Sequence, residues 1–253
     1  MASLDQGAKA CEDCSLFSLC FTHELPSDEL GTLESATKQD QAVSRNEHLF
    51  YAGQRMKSVR VVRSGSIKSY QISPDGEEVV SGFFLPGEVI GLDALSSETH
   101  PSFAVAMEDS KTCDIPMSHF LEMLKDSPKL NEVMIKLLSE EMAEARELLL
   151  VVGRLDAKTR VALFVLSLSR RLARRRQDPD QFRLTMDRRD IANYLGITIE
   201  TVSRTLSALQ RSGTIEVHGK NIRICDRRAL EKIAMPGHQA PIQMEAASSQ
   251  SVG

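Results

Sequence analysis

Residues 187–225 read DRRDIANYLGITIETVSRTLSALQRSGTIEVHGKNIRIC. Asp187 is a good helix cap and Gly196 a good helix terminator, so the first ten residues predict a short helix. Thr198 is placed to cap a second helix over residues 199–211. Two helices joined by a short turn that contains Gly are typical of a helix-turn-helix.

A hairpin is predicted after the second helix. Residues 214–217 and 222–225 are mostly β-branched or apolar, and they flank the turn HGKN at 218–221. The stretch therefore predicts a winged helix-turn-helix, whose apolar interior is supplied by Ala192, Leu195, Ile197, Val202 and Leu206.

The second helix carries a polar face suited to reading DNA bases. Glu200, Ser203 and Arg204 lie at i, i+3 and i+4, and therefore on one side. Arg204 can bond guanine O6 and N7, Glu200 can accept from cytosine N4, and Ser203 can serve either base. Thr198 and Thr201 are expected to contact phosphates. The alternative is a solvated polar face on an ordinary pair of helices.

The charge distribution supports the DNA interpretation. The net charge of the whole chain is −4. Residues 154–228 nevertheless hold 17 Lys and Arg against 8 Asp and Glu, whereas residues 1–153 hold 13 against 25. Because polyanions respond to local potential, the basic third of the chain is the expected nucleic-acid surface.

Short apolar runs between about Gly53 and Pro116 predict a β region. Turn signals at 63–65, 74–76 and 86–87 separate several of the runs, at a spacing of about ten residues per strand. We expect an antiparallel β-roll that precedes the helical part, and therefore an α+β fold.

Helices are expected to follow the β region. Ser118 can cap a short helix, and Asp156 a helix that begins at Ala157 and ends in the arginine-rich stretch 170–176, which could also meet phosphates. Between them, a long helix runs from about Pro128 to Val152, where Gly153 offers a break.

The long helix has an apolar stripe that approximates a heptad repeat: Met134, Leu138, Met142, Ala145, Leu149 and Val152. Acidic residues lie beside it. A helix of about 25 residues is about 37 Å long, too long for a small β domain to cover. The stripe therefore predicts a parallel homodimer; the alternative is packing on the helix's own domain.

Five cysteines are present, and three lie within ten residues: Cys11, Cys14, Cys20, Cys113 and Cys225. An odd number does not suggest a disulfide framework. The clustering predicts metal binding or redox chemistry, whereas Cys225 is interpreted as a buried structural thiol. The polar N-terminus lacks a secretory signal, and no run approaches the roughly 20 apolar residues of a membrane span. We expect a cytoplasmic protein without membrane contact.

Several segments resemble the CRP/FNR superfamily of bacterial transcription regulators, over residues 11–233. They are RSGSIKSY at 63–70, HPSFA at 100–104, SRR at 169–171, NYLG at 193–196 and ETVSR at 200–204. The cysteine pattern resembles the FNR branch, the oxygen-sensing regulators of anaerobic metabolism. This resemblance implies a [4Fe–4S] cluster held by Cys11, Cys14, Cys20 and Cys113, which suits soft thiolate ligands.

The resemblance also implies an organisation and partners. The expected parts are a cluster-binding segment at 1–24, a β-roll sensor domain similar to cyclic-nucleotide-binding domains at 25–127, a dimerisation helix at 128–153, a winged helix-turn-helix domain at 154–235 and a disordered tail at 236–253. A homodimer should bind palindromic double-stranded DNA of the type TTGAT…ATCAA. RNA polymerase is an expected partner, through loops such as 74–77.

The sequence departs from the cyclic-nucleotide branch, in which an Arg-Ser or Arg-Thr pair and a nearby Glu hold the phosphate. Pro101-Ser102 stands at the position of that pair. We therefore expect no cyclic nucleotide to bind.

Two alternatives to an oxygen-sensing regulator with a cluster remain open. The cysteines could form a structural zinc site or a thiol switch in a DNA-binding regulator, although C-x5-C with one remote ligand is an unusual zinc spacing. An iron–sulfur enzyme or electron carrier is the other. The six histidines are scattered, and neither a catalytic triad nor a phosphate loop is visible, so we expect no enzyme.

Overall fold

The computed structural model describes residues 10–235, which form a β-roll followed by helices and a small wing. The expected tail at 236–253 and residues 1–9 lie outside the described residues. The helices are α1 (Ser27–Ala36), α2 (Met117–Asp126), α3 (Pro128–Arg154), α4 (Ala157–Arg174), α5 (Arg188–Leu195), α6 (Ile199–Arg211) and α7 (Arg227–Ala234). The strands are β1 (Lys38–Val43), β2 (His48–Phe50), β3 (Ser58–Ser64), β4 (Ile67–Ile72), β5 (Glu78–Phe84), β6 (Val89–Ile90), β7 (Phe103–Ala106), β8 (Ser110–Pro116), β9 (Gln181–Arg183), β10 (Ile215–His218) and β11 (Asn221–Ile224).

The β-roll consists of two four-stranded antiparallel sheets, in the orders β1-β8-β3-β6 and β2-β7-β4-β5. The residues buried in this part of the core include Phe50, Val62, Ile67, Ile90 and Ala104. The prediction of an antiparallel β-roll is confirmed. It begins at β1, earlier than the predicted Gly53, because this polar edge strand gains its order by pairing with β8 rather than from an apolar pattern.

The turn between β3 and β4 requires glycine. Gly65 has φ +80°, and a Cβ there would lie 2.2 Å from Ser110 Oγ and 2.8 Å from the backbone of Asp109. Any side chain would therefore clash, so the predicted turn at 63–65 has a steric as well as a conformational cause.

Helices α1 and α2 cover one end of the β-roll. Leu30 and Leu33 of α1 are buried, although no helix was predicted there from the sequence. Helix α2 begins after Pro116, and its N-terminus has no side-chain cap; the prediction that Ser118 caps it is wrong, because the helix already includes that residue.

The long helix α3 is capped by Ser127, whose hydroxyl accepts from the Leu130 backbone N–H at 2.9 Å. It continues through Gly153, so the predicted break there is wrong; a single Gly is tolerated inside a helix at a modest cost. Its first two turns bury Leu130, Val133 and Met134 among the side chains of α1 and α2.

The predicted apolar stripe of α3 needs one correction. Met134 is 5% exposed and packs in its own domain, so it is not available to a partner, whereas its neighbour Ile135 is 66% exposed. The exposed apolar positions then step by three and four residues: Ile135, Leu138, Met142, Ala145 and Leu149, with half-buried Val152 after them. We call these six residues the α3 stripe.

The C-terminal part is a winged helix-turn-helix. Asp156 caps α4, Asp187 and Asp190 form a capping box on α5, and Gly196 ends α5 with φ +61°. Three strands in the order β10-β11-β9 make the wing, and α7 packs against α4. Strand β9 and helix α7 are additions to the predicted elements.

The winged domain packs directly on the β-roll. Asn193 of α5 accepts from the Val80 backbone N–H at 2.6 Å, and Lys68 of β4 pairs with Asp190 at 2.8 Å. Apolar residues of both parts, including Phe83 and Phe164, share one core. None of the helices within residues 10–235 combines the length and apolarity needed to cross a bilayer.

Candidate cysteine site and DNA-reading helix

The four predicted cysteine ligands lie around one cavity. Three short 3-10 turns shape residues 11–25, here called the cysteine segment, while Cys113 projects from β8 of the β-roll. The cavity has a volume of about 50 Å³. We call it the cysteine cavity; its lining is Cys11, Cys14, Cys20 and Cys113 with Leu16, Phe17, Thr22, Leu33, Thr37, Gln39, Val61, Arg63 and Ile115.

Backbone hydrogen bonds and apolar anchors explain how the cysteine segment reaches Cys113. The Cys14 N–H donates to the Cys11 carbonyl at 3.0 Å, which closes a tight turn between the first two cysteines. After Cys20, Phe21 and Leu25 are buried in the same core as Ile115 of β8. The apolar side chains therefore hold the segment against the strand that carries the fourth cysteine.

The surroundings of the thiols favour their protonated form. Burial, followed by the charges of Glu34 and of the other three cysteines, raises the pKa of Cys11 to about 12. Burial also raises the pKa of Cys20, against hydrogen bonds from the side chain and backbone of Thr22, and it raises the pKa of Cys113. Since only thiolates bind metals, loading the cysteine cavity must release protons.

The donor set fits an iron–sulfur cluster better than one ion. All four cysteines are free thiols. In the described part of the chain, no three His, Cys, Asp or Glu side chains are arranged to hold a metal ion. A zinc ion needs its four ligands around one point, whereas a [4Fe–4S] cluster offers each thiolate an iron of its own. Four soft donors around a cavity with mostly apolar walls are compatible with a [4Fe–4S] cluster.

Two charged residues beside the cysteine cavity were not predicted from the sequence. Arg63 lines the cavity and pairs with Asp40 at 2.8 Å. Asp40 lies in β1 with φ +54°, at a bulge in the pairing with β8. The only sequence signal was the arginine at a predicted turn; the bulge has none.

The cysteine segment is also tied to the start of α3. Glu24 pairs with Lys136 at 2.6 Å and with Lys129 at 3.8 Å. These three side chains are partly or largely exposed, so the pairs contribute little to stability by themselves. They nevertheless fix where the segment meets the long helix.

The predicted DNA-reading residues lie on α6. Glu200, Ser203 and Arg204 are exposed, whereas Val202 and Leu206 on the other side are buried. Thr198 caps the helix by accepting from the Thr201 N–H at 3.2 Å. Hydrogen bonds from the helix N-terminal backbone and from Thr198, together with the charge of Arg204, lower the pKa of Glu200. Its carboxylate is therefore an acceptor at neutral pH.

Two expectations about other residues are corrected. Arg171 and Arg175 of the basic stretch 170–176 turn into the protein and pair with Glu88, so they are not free to meet phosphates. Cys225 is exposed, not buried, since it follows the last residue of β11 at the edge of the wing.

Comparisons with known proteins agree with this architecture. Residues 159–233 match the Crp-like helix-turn-helix domain, and residues 40–127 match the cyclic nucleotide-binding domain. The chain is 41% identical over 228 residues to the fumarate and nitrate reduction regulatory protein of Escherichia coli K12, covering 90% of both chains. It is 40% identical over 224 residues to electron transport regulator A of Shewanella oneidensis, covering 88% of this chain and 90% of that protein.

Solved structures share the fold. FixK2 from Bradyrhizobium japonicum superposes with a TM-score of 0.73 at 29% identity, covering 79% of this chain and 98% of that one. A mutant of CooA from Carboxydothermus hydrogenoformans gives a TM-score of 0.65 at 21% identity, over 81% and 90% of the two chains.

Proposed function

Because this chain belongs to the CRP/FNR family of transcription regulators, we propose that it is an oxygen-responsive regulator of anaerobic-metabolism genes whose sensor is a [4Fe–4S] cluster. Members of this family bind DNA as regulators and are not enzymes. The proposed ligands are Cys11, Cys14, Cys20 and Cys113. The single observation that carries the proposal is the cavity around which these four free thiols meet.

The cluster, when bound, supplies a centre that oxygen can attack. The chain supplies the rest. The thiolates of the cysteine segment and of β8 would hold two separate parts of the fold together, and Leu16, Phe17 and Val61 give the cavity apolar walls. Without these ligand bonds, the segment keeps its buried side chains, among them Phe21 and Leu25, and the ion pairs of Glu24.

The cysteine segment contacts the first turns of the dimerisation helix. Glu24 meets Lys136 one residue after Ile135, the first member of the α3 stripe. Ordering of the segment therefore fixes the first turns of α3, and the stripe from Ile135 to Val152 pairs with that of a second copy. The acidic residues beside the stripe, Glu140, Glu141, Glu144 and Glu147, oppose pairing, so a loss of order shifts the equilibrium toward monomers.

The dimer presents two copies of α6 to DNA. Two recognition helices about 34 Å apart, one turn of the double helix, require palindromic half-sites. Glu200, Ser203 and Arg204 are the proposed base-reading residues, and Thr198 and Thr201 the proposed phosphate contacts. We propose that each of these roles belongs to one of the domains whose boundaries the sequence predicts.

We keep the prediction that no cyclic nucleotide binds, despite the domain match. Glu88, which follows Pro86-Gly87, is already engaged by Arg171 and Arg175. Ser102 donates to Asp93 at 2.9 Å, and no arginine stands beside it in sequence. The acidic β4–β5 turn at 74–77 remains a proposed contact for RNA polymerase, and a cytoplasmic location remains an expectation.

The proposal is tested by visible absorbance after anaerobic purification. The wild-type protein should be brown and should bleach in air, whereas Cys113→Ser should be colourless. Cys225→Ser, which removes an exposed thiol remote from the cysteine cavity, is the matched control and should stay brown. A colourless wild-type protein that still binds palindromic DNA would refute the oxygen sensor; a bound zinc ion would then establish the structural-zinc alternative.

A further inference from the structure

Asp40 has an unusual backbone for a strand residue. Its φ of +54° lies in the left-handed region, which residues with a Cβ adopt infrequently. The pairing of β1 with β8 shifts register between Lys38 and Gln41, so Asp40 lies in a β-bulge. Bulges re-aim side chains and backbone groups, and strained residues of this kind concentrate at functional sites.

The bulge directs Asp40 at the cysteine cavity in two ways. Its backbone lies beside Cys113 of β8, since Lys38 pairs with Asp114 and Gln41 with Thr112 on either side of it. Its carboxylate accepts from Arg63 at 2.8 Å and lies 3.7 Å from Lys111 Nζ. The same residue therefore lies beside a proposed ligand and pairs with a cation of the cavity wall.

Arg63 is the cationic side chain among the residues that line the cysteine cavity. It is 19% exposed, so water screens its charge only in part, whereas Asp40 is 47% exposed and more fully screened. Arg63 and Cys113 line the same cavity. Four thiolates in a mostly apolar cavity carry more negative charge than the net positive charge of an iron–sulfide core would neutralise, and Arg63 is placed to offset the excess.

We propose that Arg63, held by the Asp40 bulge, is a positioning residue that stabilises the thiolate-bound cluster at its Cys113 side. This proposal rests on the proposed function, since it presumes that the four cysteines hold a cluster. Arg63 does not bind iron; it acts through the charge that it places in the cavity wall. Partners of this kind typically change metal affinity by about 10- to 100-fold when they are removed.

The test measures iron release from the loaded protein to a ferrous chelator under anaerobic conditions. Arg63→Gln should release iron about tenfold faster than wild type, and Arg63→Lys, which keeps the charge, should recover most of the difference. The control is Arg55→Gln. Arg55 also pairs with an acidic residue of positive φ, Glu98 (φ +57°), at 3.5 Å, but it does not line the cysteine cavity.

The outcomes separate the two proposals. Wild-type protein that holds a cluster, with Arg63→Gln releasing iron at the rate of Arg55→Gln, overturns the role of Arg63 and leaves the oxygen sensor intact. Wild-type protein that holds no cluster refutes both. Thermal unfolding of the metal-free variants shows whether Arg63→Gln folds normally, and equal iron release by Arg63→Lys and Arg63→Gln would also overturn the electrostatic role.

Discussion

At the scale of single residues, His100 links the pH to the stability of the β-roll. Its side chain is buried and stacks on Phe50 with ring centroids 3.6 Å apart. Within residues 10–235, its Nδ1 has no hydrogen-bond partner. Burial lowers the pKa of His100; Arg60 lowers it further, and Asp93 opposes them. The folded protein therefore keeps the imidazole neutral at pH values where the unfolded chain binds a proton.

Acid should therefore destabilise the protein. As the pH falls below about 6.5, the unfolded state binds a proton that the folded state does not bind, so the free energy of unfolding decreases by at most about 1.4 kcal/mol per pH unit. His100→Phe keeps the stacked ring and should remove this part of the slope. Urea unfolding between about pH 5 and about pH 8 measures it.

The control is His218→Gln on the wing, where the side chain is exposed. It should leave the wild-type slope in place. If His100→Phe shows the same pH dependence as wild type and this control, the buried imidazole is not the group that destabilises the protein in acid.

At the scale of elements, the α3 stripe makes a specific prediction about assembly. Leu149 is 74% exposed, although it is an apolar residue at a seam position of the heptad repeat. Leu149→Glu would place a charge in the paired seam next to Glu144 and Glu147, and should weaken the cluster-loaded dimer by about 100-fold, or roughly 3 kcal/mol. Sedimentation equilibrium under anaerobic conditions measures the dissociation constant.

Leu150→Glu is the matched control for this prediction. Leu150 is 65% exposed, nearly as much as Leu149, but it lies about 100° further round the helix. It should leave the dimer almost unchanged. Equal weakening by both substitutions would contradict the assignment of the seam.

Local signals explain which elements the sequence predicts well. Helices α4, α5 and α6 follow from caps and periodicity within each segment, as at Asp156, Asp187 and Thr198. Strand β1 does not, since its order comes from pairing with β8, about seventy residues away. Periodicity also cannot decide between Met134 and Ile135, because only the tertiary structure shows which neighbour α1 and α2 cover.

The same reasoning applies to the cysteine site. The spacing of Cys11, Cys14 and Cys20 indicates a metal or redox site, and the resemblance adds Cys113. The positions of Asp40 and Arg63 beside the cavity could not be predicted, because they depend on a bulge in β1. A bulge in a polar edge strand has no recognisable sequence pattern. Sequence spacing and the resemblance together therefore predicted the proposed ligands but not the charges around them.

At the scale of the whole molecule, the turn at 85–88 joins the cysteine segment to the winged domain. Gly87 has φ +91°, and a Cβ there would lie 2.9 Å from Leu19 Cβ, so the segment rests directly on this turn. On the other side, Arg175 of the winged domain donates to the Pro86 carbonyl at 2.6 Å. The turn thus contacts both parts of the chain at once.

Glu88 is the centre of the contact with the winged domain. It accepts from Arg171 Nε at 3.0 Å and from Arg175 at 2.6 Å, and Arg175 is only 5% exposed. Burial raises the pKa of Glu88, but the two arginines outweigh that effect and hold the pKa below its ordinary value. The carboxylate is therefore charged at neutral pH, and its ion pairs join the two domains.

Glu88→Gln should uncouple the domains, because it leaves two partly or fully buried guanidiniums without their counter-charge. We expect a loss on the order of 3 kcal/mol in the free energy of unfolding. Amide exchange should become faster at the end of α4 and along β5.

Arg183→Gln is the control. It breaks the exposed interdomain pair with Glu108, at 3.5 Å, and should cost at most about 1 kcal/mol. Equal exchange in the two variants would show that the Glu88 contact does not hold the winged domain against the β-roll.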